Sequence, residues 1–333
     1  MAEFLVIGSG SAGRRHATAL RKMFPAASIS LVRRFDSSQP LESLGDQNIQ
    51  ILSSISEGLN PRPRLAVIAS AASRHLADFS EVCGHVDCIL VEKPLALVAA
   101  EGISMINLAE KTASRVFVGY HLRFFETVIA FHDLIRTHRS TPPTKFQLAY
   151  GQHLRHWRPL SPAEQSVTAR KDLGGGVLRE LSHEIDAVNY LGFRPTFVSG
   201  VELRFDGAPT DGLVETSADF TLESSDTSAL IHLDMTTENP YRYWDAIYPD
   251  TMIRADLLNG KIIRYNENEA SVMYESAHEE RNRAGEALLQ AVLDPSGHNK
   301  IGLADIHHSL QILNTIEAIE ESARSGKRVA IRE

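Results

Sequence analysis

The chain has 333 residues, of which 43% are hydrophobic and 23% charged, and its formal net charge at pH 7 is −8. This length predicts two domains of ordinary size, each with enough apolar material for a core. The chain lacks the basic excess that would suggest nucleic acid or an anionic membrane surface as a partner. No apolar run reaches the roughly 18 residues that span a bilayer.

Two features of the sequence predict a cytoplasmic location. The N-terminus enters an apolar strand pattern without the basic segment and cleavage site of a signal peptide. Cys83 and Cys88 are the only cysteines, too few for a disulfide framework or a zinc cluster. We therefore expect free thiols, a reducing compartment and no metal site.

The first predicted strand, Phe4–Gly8, ends in the pattern Gly-x-Gly-x-x-Gly, and a helical run at Arg14–Met23 follows. In a dinucleotide-binding turn the first glycine permits the tight turn, the second lets the backbone approach a pyrophosphate, and the third lets the helix pack on the strand. The helix N-terminus then favours the anion. A purely structural glycine-rich turn is the alternative, but the strand–turn–helix order favours nucleotide binding. The expected phosphate-binding residues are Gly8, Gly10, Ser11, Ala12 and Gly13.

Strand and helix patterns alternate through the first third of the chain, which predicts βαβ units and a parallel sheet. Further strands are predicted at Ser28–Arg33, Leu65–Ile68, Cys88–Val91 and Val116–Gly119, with helices at Arg74–Cys83 and Ala100–Lys111. We therefore predict an α/β Rossmann domain over residues 1–120, and we include Ser70 among its cofactor-binding residues.

The second predicted strand ends in Arg33-Arg34, with no acidic residue before Asp36. An Asp or Glu at this position accepts from the 2′-hydroxyl of NAD, whereas an arginine accommodates the 2′-phosphate of NADP. We predict that Arg33 and Arg34 bind the cofactor and that NADP is preferred. NAD stays open, since a solvated arginine pair at a strand end is the alternative.

Glu92-Lys93-Pro94 follows the strand Cys88–Val91. A residue at the carboxyl end of a parallel strand faces the crevice where open α/β sheets bind ligands. The Lys93 ammonium is therefore a candidate donor to a substrate hydroxyl or carbonyl, with an ordinary Lys-Pro turn as the alternative. We include Glu92 and Lys93 among the cofactor-binding residues.

Residues 121–333 have a different sequence pattern, in which longer strand-like runs are joined by short turns. This pattern predicts a large, open, mostly antiparallel sheet in an α+β domain. The predicted strands are Lys145–His153, Thr196–Phe205, Val214–Leu222, Ser228–Met235, Met252–Leu257, Lys261–Tyr265 and Arg328–Ile331. The predicted helices are Phe125–Thr137, a helix from Gly174-Gly175-Gly176 to about Leu191, Glu279–Leu293 and Leu303–Ser325.

Glu180, His183 and Asp186 are spaced three apart, so one continuous helix places them on one face. A carboxylate that holds an imidazole is the usual arrangement of a general acid/base. Either acid is a candidate to support His183. A buried histidine without a catalytic role is the alternative.

These motifs, in this order, resemble the Gfo/Idh/MocA family of nicotinamide-dependent oxidoreductases over nearly the whole length. The resemblance rests on the glycine turn with Arg14-Arg15-His16, on Glu92-Lys93-Pro94, on Gly119-Tyr120-His121-Leu122-Arg123-Phe124, and on the helix with His183 and Asp186. It implies that Lys93 lies near nicotinamide and substrate and that His183 is the acid/base, and we include Glu180 with them as a candidate catalytic residue. It also implies that the segment containing Tyr120, His121 and Arg123 lines the substrate site.

Two positions depart from the family pattern. The family often has Asp four residues before the catalytic histidine, where this chain has Arg179. His121 stands where the family often has Asn. Whether Glu180 or Asp186 supports His183 therefore stays open.

The segment Gly151–Pro159 resembles a subgroup associated with bacterial surface-polysaccharide sugars. We include Trp157, Arg158, Arg179 and Asp186 among the expected substrate residues. Arg155, Arg158, Arg170, Lys171 and Arg179 cluster in sequence and would suit an anionic or nucleotide-linked sugar. A solvated arginine-rich loop is the alternative.

The resemblance implies an NAD(P)-dependent oxidoreductase that transfers hydride between the nicotinamide cofactor and a sugar, cyclitol or nucleotide sugar. A cofactor-recycling lyase or epimerase and a non-catalytic nucleotide-binding regulator are the alternatives. The family's open sheet commonly forms a subunit interface, so a homodimer or homotetramer is expected.

Overall fold

The computed structural model describes residues 3–33, 48–138, 142–157, 166–206, 214–267, 269–276, 280–294 and 302–333. The chain forms two compact units: unit 1 comprises Met1–His121 and Gly285–Leu313, and unit 2 comprises Leu122–Ala284 and Asn314–Glu333. The sequence pattern predicts that residues 285–313 belong to the second domain. The structure assigns them to unit 1, where the short strand Ala304–Asp305 pairs with Arg115–Val118. No helix in the described part of the chain is both long and apolar enough to cross a membrane.

Unit 1 is built on a seven-stranded sheet in the order β15-β6-β5-β4-β1-β2-β3. Its strands are β1 (Phe4–Ile7), β2 (Ile29–Val32), β3 (Ile49–Leu52), β4 (Leu65–Ile68), β5 (Cys88–Val91), β6 (Arg115–Val118) and β15 (Ala304–Asp305). All neighbours are parallel except β15 and β6. Every residue of β1, β2, β4 and β5 is buried, as expected for parallel strands covered on both faces. The predicted Rossmann fold is confirmed.

The helices α1 (Ser11–Met23), α2 (His75–Val82) and α3 (Ala99–Ala109) belong to unit 1. The buried residues of α1 are Gly13, His16, Ala17 and Leu20, a spacing that turns one helical face to the core. Strand β3 was not predicted. Its central residues, Gln50 and Ile51, are exposed, so the segment lacks the alternation that identifies a half-buried strand.

Unit 2 is built on a nine-stranded sheet in the order β14-β13-β12-β11-β7-β10-β9-β8-β16. Its strands are β7 (Lys145–Gly151), β8 (Phe197–Arg204), β9 (Ser217–Glu223), β10 (Ser228–Asp234), β11 (Tyr241–Ile247), β12 (Met252–Asp256), β13 (Lys261–Asn266), β14 (Glu269–Glu275) and β16 (Val329–Ala330). Only the β7–β10 pair is parallel. The predicted large, mostly antiparallel sheet is confirmed, although β11 and β14 were not predicted.

The helices α4 (Glu126–His138), α5 (Val177–Glu180) and α6 (Ser182–Tyr190) belong to unit 2, and α7 (Glu280–Leu293) and α8 (Ile306–Ser325) follow. Helix α4 packs on β12, β13 and β14, while α5 and α6 pack on strands that include β10. The prediction of one continuous helix to Leu191 is wrong. It breaks at Leu181, whose φ and ψ are −101° and 24°, so Glu180 and His183 lie on different helices.

Candidate functional site

The glycine turn of unit 1 joins β1 to α1 and depends on two glycines for its shape. Gly8 has φ +107°, and a Cβ there would lie 2.6 Å from the carbonyl oxygen of Ala69. A Cβ on Gly13 would lie 1.9 Å from the carbonyl oxygen of Gly8. These contacts let the turn, the loop after β4 and the first turn of α1 pack backbone against backbone, as the sequence motif predicts.

The N-terminus of α1 is open at the second glycine of the motif. Gly10 is the N-cap, no side chain caps the helix, and its first turn contains no acidic residue. A Cβ built on Gly10 meets nothing within 4 Å. The first N–H groups of a helix, here those of Ser11, Ala12 and Gly13, have no partner within the helix and favour an anion. This turn therefore has the space and the donors for a phosphate group.

The end of β2 bears on the choice between NAD and NADP. The backbone N–H of Arg33 donates to the carbonyl oxygen of Leu52 at 2.9 Å, and its side chain is half-buried. Arg34, the other predicted phosphate ligand, lies outside the described residues.

Glu92 forms the best-defined polar contact of this region. Its carboxylate accepts a hydrogen bond from Nε2 of His16 at 2.6 Å, and both side chains are about nine-tenths buried. Burial alone would raise the pKa of the Glu92 carboxyl, but the hydrogen bond and charge of His16, with the charges of Arg15 and His121, outweigh burial and hold that pKa well below its usual range. Glu92 is therefore ionised, and it anchors the Glu-Lys-Pro segment to α1.

Glu92 also fixes its own neighbourhood. Its second carboxylate oxygen accepts from the backbone N–H of Lys93 at 3.3 Å. A Cβ on Gly119 would lie 3.3 Å from that same oxygen, so the lack of a side chain at Gly119 lets the Glu92 carboxylate lie close to the backbone at the end of β6. Lys93 precedes a cis peptide bond to Pro94.

The next residues of unit 1 are the predicted substrate residues Tyr120 and His121. Tyr120 is buried, with 1% of its surface exposed. His121 is half-buried and donates its backbone N–H to the carbonyl oxygen of Gly119 at 2.9 Å. His121 acts on Glu92 through its charge, so the structure brings the Gly119–His121 segment to the Glu-Lys-Pro segment.

Ser70, the predicted cofactor residue after β4, donates its hydroxyl to the Asp78 carboxylate at 2.6 Å. His16 and His75 are not among the site residues that the sequence predicts. His16 stood in the quoted motif Arg14-Arg15-His16, seven residues before the end of α1, and that motif was the available signal. His75 had no such signal, because its contacts are to backbone atoms of distant segments.

In unit 2, α6 carries His183 and two carboxylates, Glu184 and Asp186, that are held by arginines. His183 is buried, with 5% exposed. Asp186 accepts two hydrogen bonds from the Arg123 guanidinium, at 2.9 and 2.5 Å. Glu184 accepts from Nε of Arg242 at 2.7 Å. These ion pairs fix α6, and with it the backbone that carries His183.

Glu184 is completely buried. Burial raises the pKa of its carboxyl, while the charge and hydrogen bond of Arg242 act in the opposite direction. Removal of one partner alone strongly lowers the stability of the folded protein, since the other charge stays buried without compensation. The pair ties α6 to β11 of the sheet.

The two other predicted residues of this region lie on α5. Glu180 accepts a hydrogen bond from the Thr168 hydroxyl at 2.7 Å. The Arg179 guanidinium is buried and pairs with Glu320 at 2.6 Å. The departure from the family pattern at Arg179 is therefore accompanied by an acidic partner on α8.

The loop after β7 contains Trp157, whose ring stacks on Tyr150 with centroids 6.3 Å apart. The Arg242 guanidinium lies 4.4 Å from the centre of the Tyr150 ring, which connects this aromatic pair to the Glu184 ion pair. Trp157 is thus connected through Tyr150 to Arg242, which pairs with Glu184 on α6. Arg158, predicted to bind substrate, lies outside the described residues.

Three arginines of the predicted cationic cluster have acidic partners. Arg155 pairs with Glu238, and Arg170 with Asp172 at 2.7 Å. Together with the Arg179–Glu320 pair, these contacts balance the charge of three of the five cluster residues. Among the described residues, no group of three or more His, Cys, Asp or Glu side chains has a geometry suited to a metal ion.

Comparisons with known proteins identify a family match and proteins of similar fold. Residues 2–120 match the model of the Gfo/Idh/MocA family, described as an oxidoreductase family with an NAD-binding Rossmann fold. Glucose-6-phosphate 3-dehydrogenase of Bacillus subtilis (strain 168) is 25% identical over 205 residues, which make up 58% of this chain and 54% of that protein. The chain thus spans about half the length of this curated relative.

Solved structures match over the full length. The WlbA dehydrogenase of Bordetella pertussis, solved with NADH and UDP-GlcNAcA, has a TM-score of 0.80 at 16% identity and covers 100% of this chain and 98% of its own. An inositol dehydrogenase homologue of Azotobacter vinelandii, solved with NAD+, has a TM-score of 0.84 at 12% identity and covers 99% and 97%. At these identities the similarity establishes the fold.

Proposed function

We propose that this chain, whose residues 2–120 match the model of the Gfo/Idh/MocA oxidoreductase family, is an NAD(P)-dependent oxidoreductase acting on a carbohydrate hydroxyl or carbonyl group. The observation that carries the proposal is the open N-terminus of α1 at Gly10. It lies between two glycines whose neighbours leave no room for a side chain. A phosphate group fits the space and the N–H donors of this turn.

For the cofactor we propose NADP over NAD. The two solved relatives described above contain NADH and NAD+, which supports a nicotinamide dinucleotide. The finer choice rests on Arg33 and Arg34 at the end of β2, where a carboxylate for the ribose hydroxyl would otherwise stand.

The experiment for this choice is fluorescence titration of the purified protein with NADPH and NADH. We expect tighter NADPH binding and a loss of about 10-fold in NADPH affinity on Arg33→Ala, since a charge-assisted hydrogen bond to phosphate is removed. NADH affinity should stay unchanged in that variant. Tighter NADH binding by the wild-type protein would contradict the choice.

The bound cofactor supplies the hydride donor or acceptor. In the proposed reaction the His183 imidazole takes or gives the proton of the substrate hydroxyl. The Lys93 ammonium hydrogen-bonds the substrate oxygen and stabilises the negative charge that develops on it. The Glu92–His16 contact positions the backbone at Lys93, and the Asp186–Arg123 and Glu184–Arg242 pairs hold the helix of His183.

Two variants test the catalytic residues. Lys93→Ala and His183→Ala should each lower kcat by about 10²–10⁴ with NADPH affinity near that of the wild type, because both residues act on the substrate oxygen. Matched controls are Lys111→Ala and His85→Ala at exposed positions of unit 1. Full turnover by both catalytic variants would eliminate the mechanism.

The proposed substrate is a sugar or a nucleotide-linked sugar. The names of the relatives support this class, since they refer to a sugar phosphate and a nucleotide-sugar acid. A panel of neutral, phosphorylated and nucleotide-linked sugars, assayed for NADPH formation or consumption, would identify the substrate. Product formation without net change in the cofactor would instead indicate the lyase or epimerase.

We also propose a homodimer or homotetramer that forms through the outer sheet face of unit 2. This face is defined by residues of β7, β9, β10 and β11, namely Gln147, Asp219, Leu230, His232, Tyr241 and Tyr243. Its charged groups pair within the face: His232 contacts Asp219 at 2.6 Å, and Arg254 contacts Asp245 at 2.7 Å. A face with balanced charge and half-exposed aromatic rings suits a second copy of itself.

A further inference from the structure

The His75 imidazole joins two loops that follow neighbouring strands of unit 1. Its Nε2 lies 3.1 Å from the carbonyl oxygen of Ser70, in the loop after β4. Its Nδ1 lies 3.0 Å from the carbonyl oxygen of Pro94 and 3.2 Å from that of Leu95, in the turn after β5. With 1% of its surface exposed, the ring has no access to bulk water that could replace these contacts.

The two loops carry residues of the proposed site. Ser70 stands two residues beyond β4 and is a proposed cofactor residue. Its backbone packs against the glycine turn, since a Cβ on Gly8 would lie 2.8 Å from the Ser70 backbone nitrogen. Lys93 stands two residues beyond β5 and is bonded to Pro94. The imidazole therefore connects the loop that packs on the glycine turn with the turn that carries the proposed catalytic lysine.

The chemistry of the ring makes its two contacts separable. Burial lowers the pKa of His75, although its backbone hydrogen bonds act in the opposite direction, so the neutral ring predominates at pH 7. A neutral imidazole donates from only one nitrogen. All three partners are carbonyl oxygens, which only accept, so the neutral ring donates to one loop at a time: to Pro94 and Leu95 from Nδ1–H in one tautomer, and to Ser70 from Nε2–H in the other.

We propose that His75 is a positioning residue that sets the turn of Lys93 through its Nδ1 side and the cofactor-binding loop of Ser70 through its Nε2 side. The proposal rests on the proposed function, since it assigns His75 a part in the placement of Lys93 and Ser70. His75 itself has no contact with the reacting atoms in this scheme.

Two conservative variants separate the two sides of the ring. In His75→Asn the amide nitrogen stands about where Nδ1 stands, and in His75→Gln it stands about where Nε2 stands, so each variant keeps one donor. His75→Asn should retain kcat at saturating cofactor and weaken NADPH binding by about 3- to 10-fold. His75→Gln should retain NADPH affinity and lower kcat by about 10- to 100-fold, because the turn of Lys93 is no longer held in place.

Ser114→Ala is the matched control. Ser114 is a buried residue of unit 1 whose hydroxyl donates to the carbonyl oxygen of Val86 at 2.6 Å. Its removal should lower the unfolding midpoint while leaving kcat and NADPH affinity unchanged. If both His75 variants behave like this control, His75 is merely structural and the proposal is overturned.

Amide hydrogen exchange distinguishes this outcome from failure of the proposed function. His75→Gln should accelerate exchange in residues 93–97 and His75→Asn in residues 69–74, whether or not a substrate is known. If the wild-type protein turns over no sugar but the two variants show these different exchange patterns, the oxidoreductase proposal is refuted and the positioning role is retained. Uniform exchange changes in both variants would overturn the positioning role alone.

Discussion

At the scale of single residues, Glu92 shows how a motif acquires its geometry. The sequence places it before Lys93, and the structure gives its carboxylate three neighbours: the His16 imidazole, the Lys93 backbone N–H and the backbone of Gly119. An ionised carboxylate this deeply buried is stable only because these groups replace water. Glu92 is thus a structural anchor of the Glu-Lys-Pro segment.

The depressed pKa of Glu92 leads to a pH-dependent prediction. Because the carboxyl has a lower pKa in the folded than in the unfolded chain, its contribution to stability is fully present above the ordinary value of 4.5, begins to decline below it, and is lost as the pH falls through the lower pKa of the folded chain. We expect Glu92→Gln to lower the free energy of unfolding by about 1–3 kcal/mol at pH 7, and by less at pH 4.

Urea unfolding of both proteins between pH 4 and 7 measures this difference. Glu110→Gln, at an exposed position, is the control and should change little at any pH. A destabilisation by Glu92→Gln that is constant down to pH 4 would contradict the pKa argument.

At the scale of elements, the turn between β1 and α1 contains three glycines with different physical roles. Gly8 and Gly13 are required for packing, because a Cβ on either would overlap backbone atoms. Gly10 has φ −70°, which any residue adopts, and open space beside it. A glycine is therefore unnecessary for the fold at this position, and the proposed phosphate binding accounts for it.

This contrast predicts opposite phenotypes for two substitutions of the same kind. Gly13→Ala should destabilise unit 1 by about 1–3 kcal/mol through overpacking. Gly10→Ala should leave the stability unchanged or raise it by about 0.4–1 kcal/mol, yet weaken NADPH binding strongly because the new methyl group occupies the phosphate space. Thermal unfolding and fluorescence titration of both variants test this pair. Unchanged NADPH affinity in Gly10→Ala would remove the main support for the proposed function.

The break at Leu181 changes which side chains of this region share a helix. A continuous helix would align Glu180 with His183, whereas the structure ends α5 at Glu180 and begins α6 at Ser182. His183 shares its helix with Asp186, which is bound by Arg123. Backbone dihedrals at one residue therefore decided a side-chain relationship that spacing alone could not.

At the scale of the whole molecule, the chain divides its tasks between two units. Unit 1 has the parallel sheet and the glycine turn, and unit 2 has the broad antiparallel sheet with helices on one face. The outer sheet face of unit 2 retains half-exposed aromatic rings. Burial of such a surface in a subunit interface removes apolar area from water.

Sedimentation equilibrium tests the proposed assembly. We expect a dimer or tetramer of the 36.8 kDa chain, and Leu230→Asp on the outer sheet face should shift it toward the monomer, because an aspartate would be buried without a partner. Leu258→Asp, at an exposed turn position, is the control. A monomeric wild-type protein at micromolar concentration would contradict the proposal.

The sequence alone determined the local features of this protein. The glycine spacing, the buried apolar runs and the Glu-Lys-Pro and His183 motifs predicted the Rossmann domain, the antiparallel sheet and the family, because they depend on residue type and short-range periodicity. Tertiary structure decided which side chains meet. The His16–Glu92 contact, the His75 contacts to two loops and the Arg179–Glu320 pair join residues 76, 5 to 20 and 141 positions apart, and no local pattern encodes such distances.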